Sequence, residues 1–437
     1  MAIAIEAESQ SLWHHPNFPK LWASETISQF GTQFSGLGIP FTAALLHATK
    51  LDYGILFGSA QLPFALFALF VGVFVDRHRR KRIMVSANIG RGILLGLIPL
   101  AFVTGWLGRL GMPLLYTVSF LVGLLTVFFD VSYQAILPSL VERSQIAEGN
   151  RRLETSRSTA QVFGPSIAGI VVQIITAPVA IAIDALSYIG SASFLSLIRS
   201  EETIQARAHS VMHDLKEGLH VVLSNRLLRS IAGSTGTSNL FSNALFVSAF
   251  AYLVNELGFT PGLFGLIFTL GSTGALLGVF VSSKLARRIG VGRAIVVSMI
   301  AGGLGATPFL AVSPSLGYSV LKVGPLWILG TVQFDMNSAL LMVAFFITAF
   351  SSVVYNINQV SLRQAIVPLR LQGRMNASMR WIVWGTLPLG SFLGGGLAEL
   401  FGSRTAIGIG VIGGAMAFLW VLLSPVRSLE TIPEQLE

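Results

Sequence analysis

The sequence predicts an all-α membrane protein with twelve transmembrane helices, arranged as two parallel repeats of six helices, with both termini in the cytoplasm. Three observations lead to this prediction: an apolar composition, twelve apolar stretches of membrane-spanning length, and an internal repeat. Of the 437 residues, 53% are hydrophobic and only 11% are charged, whereas a soluble domain carries about 25% charged residues. One globular core cannot bury so much apolar surface, since cores stop growing near ~250–300 residues.

Twelve stretches are long and apolar enough to cross a bilayer as helices, which takes about 20 residues each. They cover residues 21–46, 53–75, 83–103, 112–137, 158–175, 178–198, 227–254, 261–281, 292–312, 337–360, 375–400 and 406–423. The chain therefore divides into a cytoplasmic segment (1–20), a six-helix bundle (21–198), a cytoplasmic linker (199–226), a second six-helix bundle (227–424) and a cytoplasmic tail (425–437). Within the linker, residues 215–225 are amphipathic and predict a helix at the membrane surface.

The basic residues predict the orientation of the chain. It has 29 lysines and arginines and a formal net charge of +9, and cytoplasmic loops are enriched in such residues. Almost all of them flank the spans on one side, and only Lys50, Arg109, Lys322 and Arg404 lie on the other. The positive charge is therefore a topology signal, and we expect no nucleic-acid partner.

Two short segments recur in the second half of the chain. Gly72-Val-Phe-Val at the end of the second span reappears as Gly278-Val-Phe-Val at the end of the eighth. Gln134-Ala-Ile-Leu-Pro reappears as Gln364-Ala-Ile-Val-Pro, each time where the fourth helix of its half leaves the membrane. Because six spans separate the copies, the halves have the same orientation. Parallel repeats of this kind are typical of transporters, whose substrate sites lie near the membrane midplane between the repeats.

The segment after the second span carries a family motif. It reads Gly72-Val-Phe-Val-Asp76-Arg77-His-Arg-Arg80-Lys81 and resembles the loop motif of the major facilitator superfamily, Gly-x-x-x-Asp-Arg-x-Gly-Arg-Arg/Lys. It departs from the motif where an arginine replaces the second glycine. The resemblance implies that Asp76 docks on the eleventh helix and holds the halves together on the cytoplasmic side when the protein opens outward. The alternative is a solvated cluster of basic residues.

Further motifs suggest a branch of this family. Asn17-Phe-Pro-Lys-Leu-Trp, Ala147-Glu-Gly-Asn and Asp184-Ala-Leu-Ser-Tyr are similar to segments of macrolide-efflux and enterobactin-export proteins. Gly164, Pro165 and Gly169 in the fifth span look like the fifth-helix motif of antiporters, which implies export. The alternative is that this Gly-Pro pair only kinks the helix. The fourth-span arginine of a related proton-antiporter branch is missing.

The acidic candidates inside the predicted spans are Glu25, Asp130 and Asp184. An acid at the centre of a membrane helix costs roughly 2.5–3.5 kcal/mol, so each is a candidate for proton coupling. Structural roles are the alternative. They are a hydrogen bond for Glu25, a salt bridge to Arg91 or to the cluster at residues 151–152 for Asp130, and helix packing for Asp184.

Polar side chains form stripes along the first, fourth, seventh and tenth spans, at helical spacings of three and four residues. A polar stripe in lipid must face protein or water, and in the family that the motifs resemble these four helices line the substrate cavity. The candidate cavity residues are Gln29, Gln33, Tyr133, Gln134, Asn239, Asn243, Tyr355, Asn356 and Gln359. This set is polar but carries little charge, which suits bulky neutral or weakly charged solutes.

Other chemistries have little support in the sequence. It contains no cysteine and no phosphate-binding loop, and we expect no enzyme activity, no cofactor and no metal site. The sequence predicts a monomeric secondary transporter of the plasma membrane that exports amphipathic molecules such as drugs, macrolides or siderophores. We expect protons and the lipid bilayer as partners and a rocker-switch mechanism. The alternatives are a non-transporting membrane sensor or assembly protein with this fold, and a lipid translocator.

Overall fold

The computed structural model describes residues 12–199, 211–317, 319–326 and 330–431. The predicted N-terminal segment, linker and C-terminal tail therefore fall partly outside the described residues, at 1–11, 200–210 and 432–437. Fifteen α-helices make up the described architecture. They are α1 Phe18–Leu45, α2 Lys50–Asp76, α3 Arg80–Val103, α4 Leu107–Leu140, α5 Ile146–Ile175, α6 Ala177–Ser196, α7 Val211–Ser224, α8 Arg226–Ala251, α9 Pro261–Ile289, α10 Val291–Gly305, α11 Pro308–Ala311, α12 Met336–Ile366, α13 Leu369–Phe401, α14 Ser403–Met416 and α15 Leu419–Leu422.

Eleven helical segments in the described chain are long and apolar enough to cross a membrane. The predicted first span is not among them. It forms α1, a helix of 28 residues, but its polar stripe lowers its hydropathy below that of the other segments. The predicted linker segment 215–225 lies almost entirely within α7.

Local capping sets several of the helix starts. At α2, the Thr49 hydroxyl accepts from the Asp52 amide at 3.2 Å, and the Asp52 carboxylate accepts from the Thr49 amide at 2.7 Å, which forms a capping box. Thr260 caps α9 directly before Pro261, and proline favours the first position of a helix. These signals explain why the predicted and observed starts of α9 coincide.

A β-hairpin lies between α11 and α12, where the sequence predicted only a loop. Strand β1, Ser319–Leu326, pairs antiparallel with strand β2, Gly330–Asp335. β1 contains two valines, and β2 contains Thr331 and Val332; such β-branched residues favour extended structure. Asp335 at the end of β2 accepts from the Ser338 amide at 2.8 Å and caps α12. The all-helical prediction thus describes the spans, and the hairpin is an addition to it.

The helices pack as two groups, which we call the first half (α1–α6) and the second half (α8–α15). In the first half, α6 packs on α1 and α3, and α4 packs on α2 and α3; in the second half, α12 packs on α9 and α10, and α8 on α13 and α14. The halves meet along two pairs, α2 with α13 and α5 with α9.

The two loop faces of the molecule differ in how the halves meet. One face holds both ends of the described chain, and we call it the terminal face. There Asn17 lies beside Arg199, and residues 429–430 lie beside the start of α10. The opposite face, with the α1–α2 and α8–α9 loops, is the distal face. There Tyr53 donates to Asn255 at 3.2 Å. The contacts at the distal face join the halves across a closed seal.

Candidate functional site

Close backbone contacts between the halves lie toward the distal face. A Cβ atom on Gly54 of α2 would stand 2.8 Å from the Gly395 Cα of α13. Phe41 of α1 and Phe250 of α8 pack edge to face with ring centroids 5.5 Å apart. Lys50 and Glu256 form an ion pair of 3.0 Å at the rim. Together these contacts form what we call the distal seal.

The fifth-helix motif lies on the second pair of helices that joins the halves. A Cβ atom on Gly169 would stand 2.3 Å from the Pro261 carbonyl oxygen, and one on Gly265 would stand 2.2 Å from the Pro165 oxygen. Gly164 faces α1 instead, where its Cβ atom would meet the Gln33 side chain at 2.3 Å. The motif therefore permits a close approach of α5 to both α9 and α1, as small residues do between membrane helices.

A cavity of about 510 Å³ lies in the first half, among α1, α2, α3, α4 and α6. We call it the acidic cavity, because Glu25, Asp130 and Asp184 all line it. Among the described residues that line it, Arg91 is the only basic side chain. The polar stripe of α1 faces this cavity through Glu25, Ser28, Gln29, Thr32, Ser35 and Gly36.

Glu25 is 3% exposed and has one free oxygen. Its Oε1 atom accepts from Gln29 Nε2 at 2.7 Å, while its buried Oε2 atom has no hydrogen-bond partner among the described residues. The charged groups that act on it are Asp130, Arg91 and Arg157. A buried polar atom without a partner is costly. This oxygen is therefore available to a proton or to a ligand.

Arg91 lies between two aromatic rings at the side of the acidic cavity. Its guanidinium carbon is 4.4 Å from the centre of the Phe129 ring and 4.2 Å from that of Tyr188. It donates to the Asn88 side chain, and its Nε atom has no hydrogen-bond partner in the described chain. Stacking on two rings and the rigid planar fork hold this cation in one place.

The other two acids differ in their partners. Asp184 is 1% exposed and accepts from Ser35 on α1 and from Ser187 Oγ at 3.1 Å. The bond from Ser35 ties α6 to α1. Asp130 is half-buried and lines the acidic cavity together with Arg91. Asp184 is thus held by hydroxyl groups, whereas Asp130 shares the cavity with the guanidinium group of Arg91.

A second and larger cavity, of about 1140 Å³, lies mainly in the second half. We call it the basic cavity, because Arg363 and Arg380 line it and no acidic side chain does so among its described lining residues. Five of the predicted cavity residues line it: Gln134, Asn239, Tyr355, Asn356 and Gln359.

Several polar groups of the basic cavity already have partners. The Tyr355 and Thr235 hydroxyl groups are 2.6 Å apart, and Asn239 donates to the Val383 carbonyl at 3.0 Å. Gln359 Oε1 and Arg363 Nε, in contrast, are buried without a hydrogen-bond partner among the described residues. These two atoms are an acceptor and a donor that a ligand could engage.

Three predicted cavity residues are not among the lining residues of either cavity. Gln33 packs against Gly164. The Tyr133 ring stacks on Phe129 with centroids 6.1 Å apart. Asn243 accepts from Gln61 of the first half at 3.3 Å, so it connects the two halves.

The two cavities meet at Trp384 of α13, which lines both. Its ring packs against Phe64 of α2 with centroids 4.6 Å apart, and Arg380 lies 5.4 Å from its centre. Arg380 also donates to Gln134 of α4 at 3.2 Å. A smaller cavity of about 260 Å³ lies between α2, α4 and the first turns of α13. Trp381 on its wall donates to the Ala65 carbonyl of α2 at 3.0 Å, so the halves are in contact there.

The motif after the second span lies at the terminal face. Asp76 is the last residue of α2 and is half-buried, Arg77 is exposed, and Gly72 has open space around its Cα. Arg80 donates to the Ala135 carbonyl at 3.0 Å. Lys81 donates to the Ser196 and Ile198 carbonyls at 2.7 and 2.5 Å, at the end of α6. A cation at a helix C-terminus stabilises the unpaired carbonyls there, so Lys81 fastens α3 to α6.

Sequence reasoning missed the two arginines of the basic cavity. Arg363 and Arg380 were counted as loop residues for the orientation, but α12 runs to Ile366 and α13 begins at Leu369. A signal was available, because Arg363 follows Gln359 by four residues and so lies on the same helix face. For Arg91 the spacing alone could not show the two rings around it. Across the described residues no group of three His, Asp or Glu side chains is placed to hold a metal ion.

Comparisons with known proteins agree with this geometry. The chain is 25% identical over 238 residues to Macrolide efflux protein A of Streptococcus pyogenes, a match that covers 52% of this chain and 57% of that protein. It is 22% identical to the uncharacterized MFS-type transporter YvqJ of Bacillus subtilis, over 95% of this chain and 94% of that one. The predicted resemblance to macrolide-efflux proteins is thus confirmed, although the match spans little more than half of that relative.

Solved transporter structures share the fold. A bacterial homologue of the iron transporter ferroportin in its inward-facing state has a TM-score of 0.69 at 16% identity, covering 93% of this chain and 98% of that one. A mutant of the nucleoside transporter NupG has a TM-score of 0.71 at 12% identity, with the same coverage of the two chains. The sequence profile of the Major Facilitator Superfamily matches residues 21–332 and 232–436. The chain therefore belongs to the Major Facilitator Superfamily, whose members are multi-pass membrane transporters, and it is not an enzyme.

Proposed function

We propose that this protein is a proton-coupled exporter of amphipathic small molecules in the plasma membrane, and that it works as a monomer by a rocker-switch mechanism. The observation that carries this proposal is the acidic cavity, with Glu25, Asp130 and Asp184 around the single guanidinium of Arg91. One fixed cation cannot neutralise three carboxylates. The acidic cavity can therefore bind a proton or a cationic group of a substrate.

We also propose twelve spans, with α1 as the first, in two parallel six-helix bundles at residues 21–198 and 227–424. At about 1.5 Å per residue, the 28 residues of α1 reach further than the ~30 Å of the hydrocarbon core. Its polar stripe faces the acidic cavity and not lipid, which explains the low hydropathy. The terminal face carries most of the basic residues, so we place it, with both chain ends, in the cytoplasm.

The distal seal, together with a small cavity between the halves on the other side, supports an inward-open state. Contacts such as Gly54 with Gly395 close the distal face, while a cavity of about 260 Å³ lies between α2, α4 and the first turns of α13. In the outward-open state the halves would rock, so that this space closes and the distal seal opens. Alternating exposure of one central site is how such repeats transport a substrate.

We propose that Asp76 locks the outward-open state. Asp76 is the last residue of α2, the helix that packs on α13 between the halves. The N-terminus of a helix carries a partial positive charge and favours an anion. Arg80 and Lys81 fasten the following turn to α4 and α6, so that the turn moves with the first half as one body.

A substitution of Asp76 tests this lock. Asp76→Asn removes the charge with little change in shape, and it should slow transport turnover while substrate binding stays nearly unchanged. Transport rates and equilibrium binding are compared on the same purified samples. An equal loss of binding and turnover would show that Asp76 acts on the site and not on the gate.

The substrate class follows from the lining of both cavities. Amides and hydroxyl groups alternate there with aromatic and aliphatic side chains such as Phe57, Phe246 and Trp384, a mixture that suits molecules with polar and apolar faces. The similarity to a relative named as a macrolide efflux protein supports export. Drugs, macrolides and siderophores are therefore the compounds to test first.

The decisive experiment is accumulation in inverted membrane vesicles. A panel of fluorescent cations, macrolides and siderophores is offered with and without an uncoupler. We expect uncoupler-sensitive accumulation, and we expect Glu25→Gln to abolish it because the free carboxylate oxygen is lost. Glu142→Gln, which changes an exposed acid of the first half, is the matched control.

Three results would contradict this proposal. Accumulation that the uncoupler leaves unchanged would exclude proton coupling. If Glu25→Gln retained transport with the pH dependence of the parent, Glu25 would not be the proton carrier. Accumulation of no compound in the panel would favour a sensor or a lipid translocator with the same fold.

A further inference from the structure

The two cavities carry opposite charge, and we propose that their joint ligand is a zwitterionic amphiphile. Its ammonium group would bind at Glu25 in the acidic cavity, its anionic group at Arg363 and Arg380 in the basic cavity, and its apolar part beside Trp384. This inference rests on the proposed transport function and specifies its substrate class.

The acidic cavity supplies the cation site. Glu25 Oε2 is buried, lines the cavity and has no hydrogen-bond partner among the described residues. Asp130 lines the same space and is half-buried. Arg91 cannot satisfy both acids, because Phe129 and Tyr188 hold its guanidinium at 4.4 and 4.2 Å from their ring centres. The ammonium group of a ligand has three donors, one of which could donate to Glu25 Oε2.

The basic cavity supplies the anion site. Arg363 Nε is buried without a hydrogen-bond partner in the described chain, and Gln359 lies one helical turn before it. The Arg380 side chain is held in place by Gln134 at 3.2 Å and by the face of Trp384. Guanidinium groups bind carboxylates and phosphates through paired hydrogen bonds. Arg363 and Arg380 therefore form an anion site, because no acidic side chain is among the described residues that line the basic cavity.

The two sites are close enough to serve one molecule. Arg380 on α13 donates at 3.2 Å to Gln134, which lies one helical turn after Asp130 on α4, so the cationic and anionic walls adjoin across the junction of the halves. Trp384 lines both cavities and offers an aromatic surface between them. The acidic and basic cavities have volumes of about 510 and 1140 Å³. This space is larger than a small zwitterion alone would fill, so it can also hold an apolar part of the ligand.

The physical reason for this preference is desolvation. A ligand with a single charge would satisfy one wall and leave the other wall's unpaired groups buried, and unpaired buried charge is costly. A ligand with both charges satisfies both walls at once and adds no net charge to the site. Charge-assisted hydrogen bonds are also stronger than neutral ones.

A matched series of three fluorescent probes tests the proposal. Nα-dansyl-lysine carries a carboxylate and an ammonium group at opposite ends of its aliphatic chain. Dansylcadaverine is the same molecule without the carboxylate, and Nα-dansyl-norleucine is the matched molecule without the ammonium. Binding to the purified full-length protein in lipid nanodiscs is followed by dansyl fluorescence. We expect the zwitterion to bind at least about tenfold tighter than either singly charged probe.

Variants assign each charge to its wall. Glu25→Gln should weaken the binding of the two ammonium probes and leave the binding of the norleucine probe unchanged. Arg363→Gln should weaken the two carboxylate probes and leave dansylcadaverine unchanged. Glu142→Gln and Arg288→Gln, which change exposed residues of the first and second halves, are the controls. Each variant is compared at equal monodispersity and melting temperature, and Asp130→Asn replaces Glu25→Gln where that variant is unstable.

Several outcomes would overturn the inference. They are equal affinity for the zwitterion and a singly charged probe, no binding of any probe, or equal weakening of all three probes by Glu25→Gln. Failure of the transport function is distinguishable from these. If the zwitterion binds with the predicted variant pattern but is not moved by a proton gradient, the divided site stands and proton-coupled export is wrong.

Discussion

Replacing Gly395 by alanine is expected to open the distal seal. A Cβ atom at this position would stand 2.6 Å from the Gly54 Cα, 2.9 Å from the Gly54 nitrogen and 3.0 Å from the Lys50 oxygen. All three are backbone atoms, which cannot rotate away as the end of a side chain can. The added methyl group can therefore be accommodated only if α13 and α2 move apart.

The size of the effect follows from the cost of overpacking. Extra methyl groups in a packed contact cost about 1–3 kcal/mol, which corresponds to a shift of about 5–150-fold in a two-state equilibrium. The contact exists only while the distal seal is closed, so the cost falls on that state alone. We expect the distal-open population to rise within this range.

The neighbouring residue provides the control. Gly396 lies next in α13, and a Cβ atom there would meet nothing within 4 Å. Gly396→Ala makes the same chemical change in the same helix, so the gain in helix propensity of about 1 kcal/mol from replacing glycine is shared by both variants. The difference between them reports the contact with α2 alone.

The assay uses a single thiol in a chain that has no cysteine. Gly36 lines the acidic cavity with open space around it, so Gly36→Cys should react with a membrane-impermeant maleimide, added to intact cells, only when the distal face opens. Gly395→Ala should raise the labelling rate and Gly396→Ala should not. Equal labelling of the two variants would refute the assignment of this contact to the seal.

Two further predictions concern single contacts. Ser35→Ala removes a hydrogen bond to the buried Asp184 carboxylate and should lower the melting temperature of the purified protein, since bonds to charged groups contribute about 1.5–3 kcal/mol. Ser193→Ala, at an exposed position, is the control and should leave the melting temperature unchanged. Equal melting temperatures of the two variants would contradict a packing role for Asp184. Lys50→Gln breaks the partly exposed ion pair with Glu256 and should raise the rate of maleimide labelling at Gly36→Cys by up to about fivefold, since such pairs contribute about 0.2–1 kcal/mol. A larger rise would contradict this estimate and mean that the ion pair dominates the seal.

Most spans could be predicted because their signals are local. Length, hydropathy and capping act within one stretch of chain, and the predicted start at Pro261 matches α9. The prediction for α5 began at residue 158, whereas the helix starts at Ile146. Its first turns are polar and held by pairs such as Arg151–Glu148 at 2.7 Å. Such i, i+3 pairs support a helix without any apolar signal.

The candidate site was only partly predictable, for a physical reason. The spacing of polar residues along α1 predicts the polar stripe, and this stripe includes Glu25 and Gln29, which line the acidic cavity. The surroundings of Arg91 depend on Phe129 and Tyr188 from two other helices, which no local pattern brings together. The division of charge between the cavities likewise emerges only when helices from both halves meet.

The most direct test of the account is a measurement of proton movement coupled to transport. The purified protein is reconstituted in liposomes that contain a trapped pH-sensitive dye, and a substrate gradient is imposed without a pH gradient. We predict that substrate movement drives protons in the opposite direction, and that Glu25→Gln loses this proton flux while Glu142→Gln keeps it. Substrate movement without proton flux, or an unchanged flux in Glu25→Gln, would contradict the account.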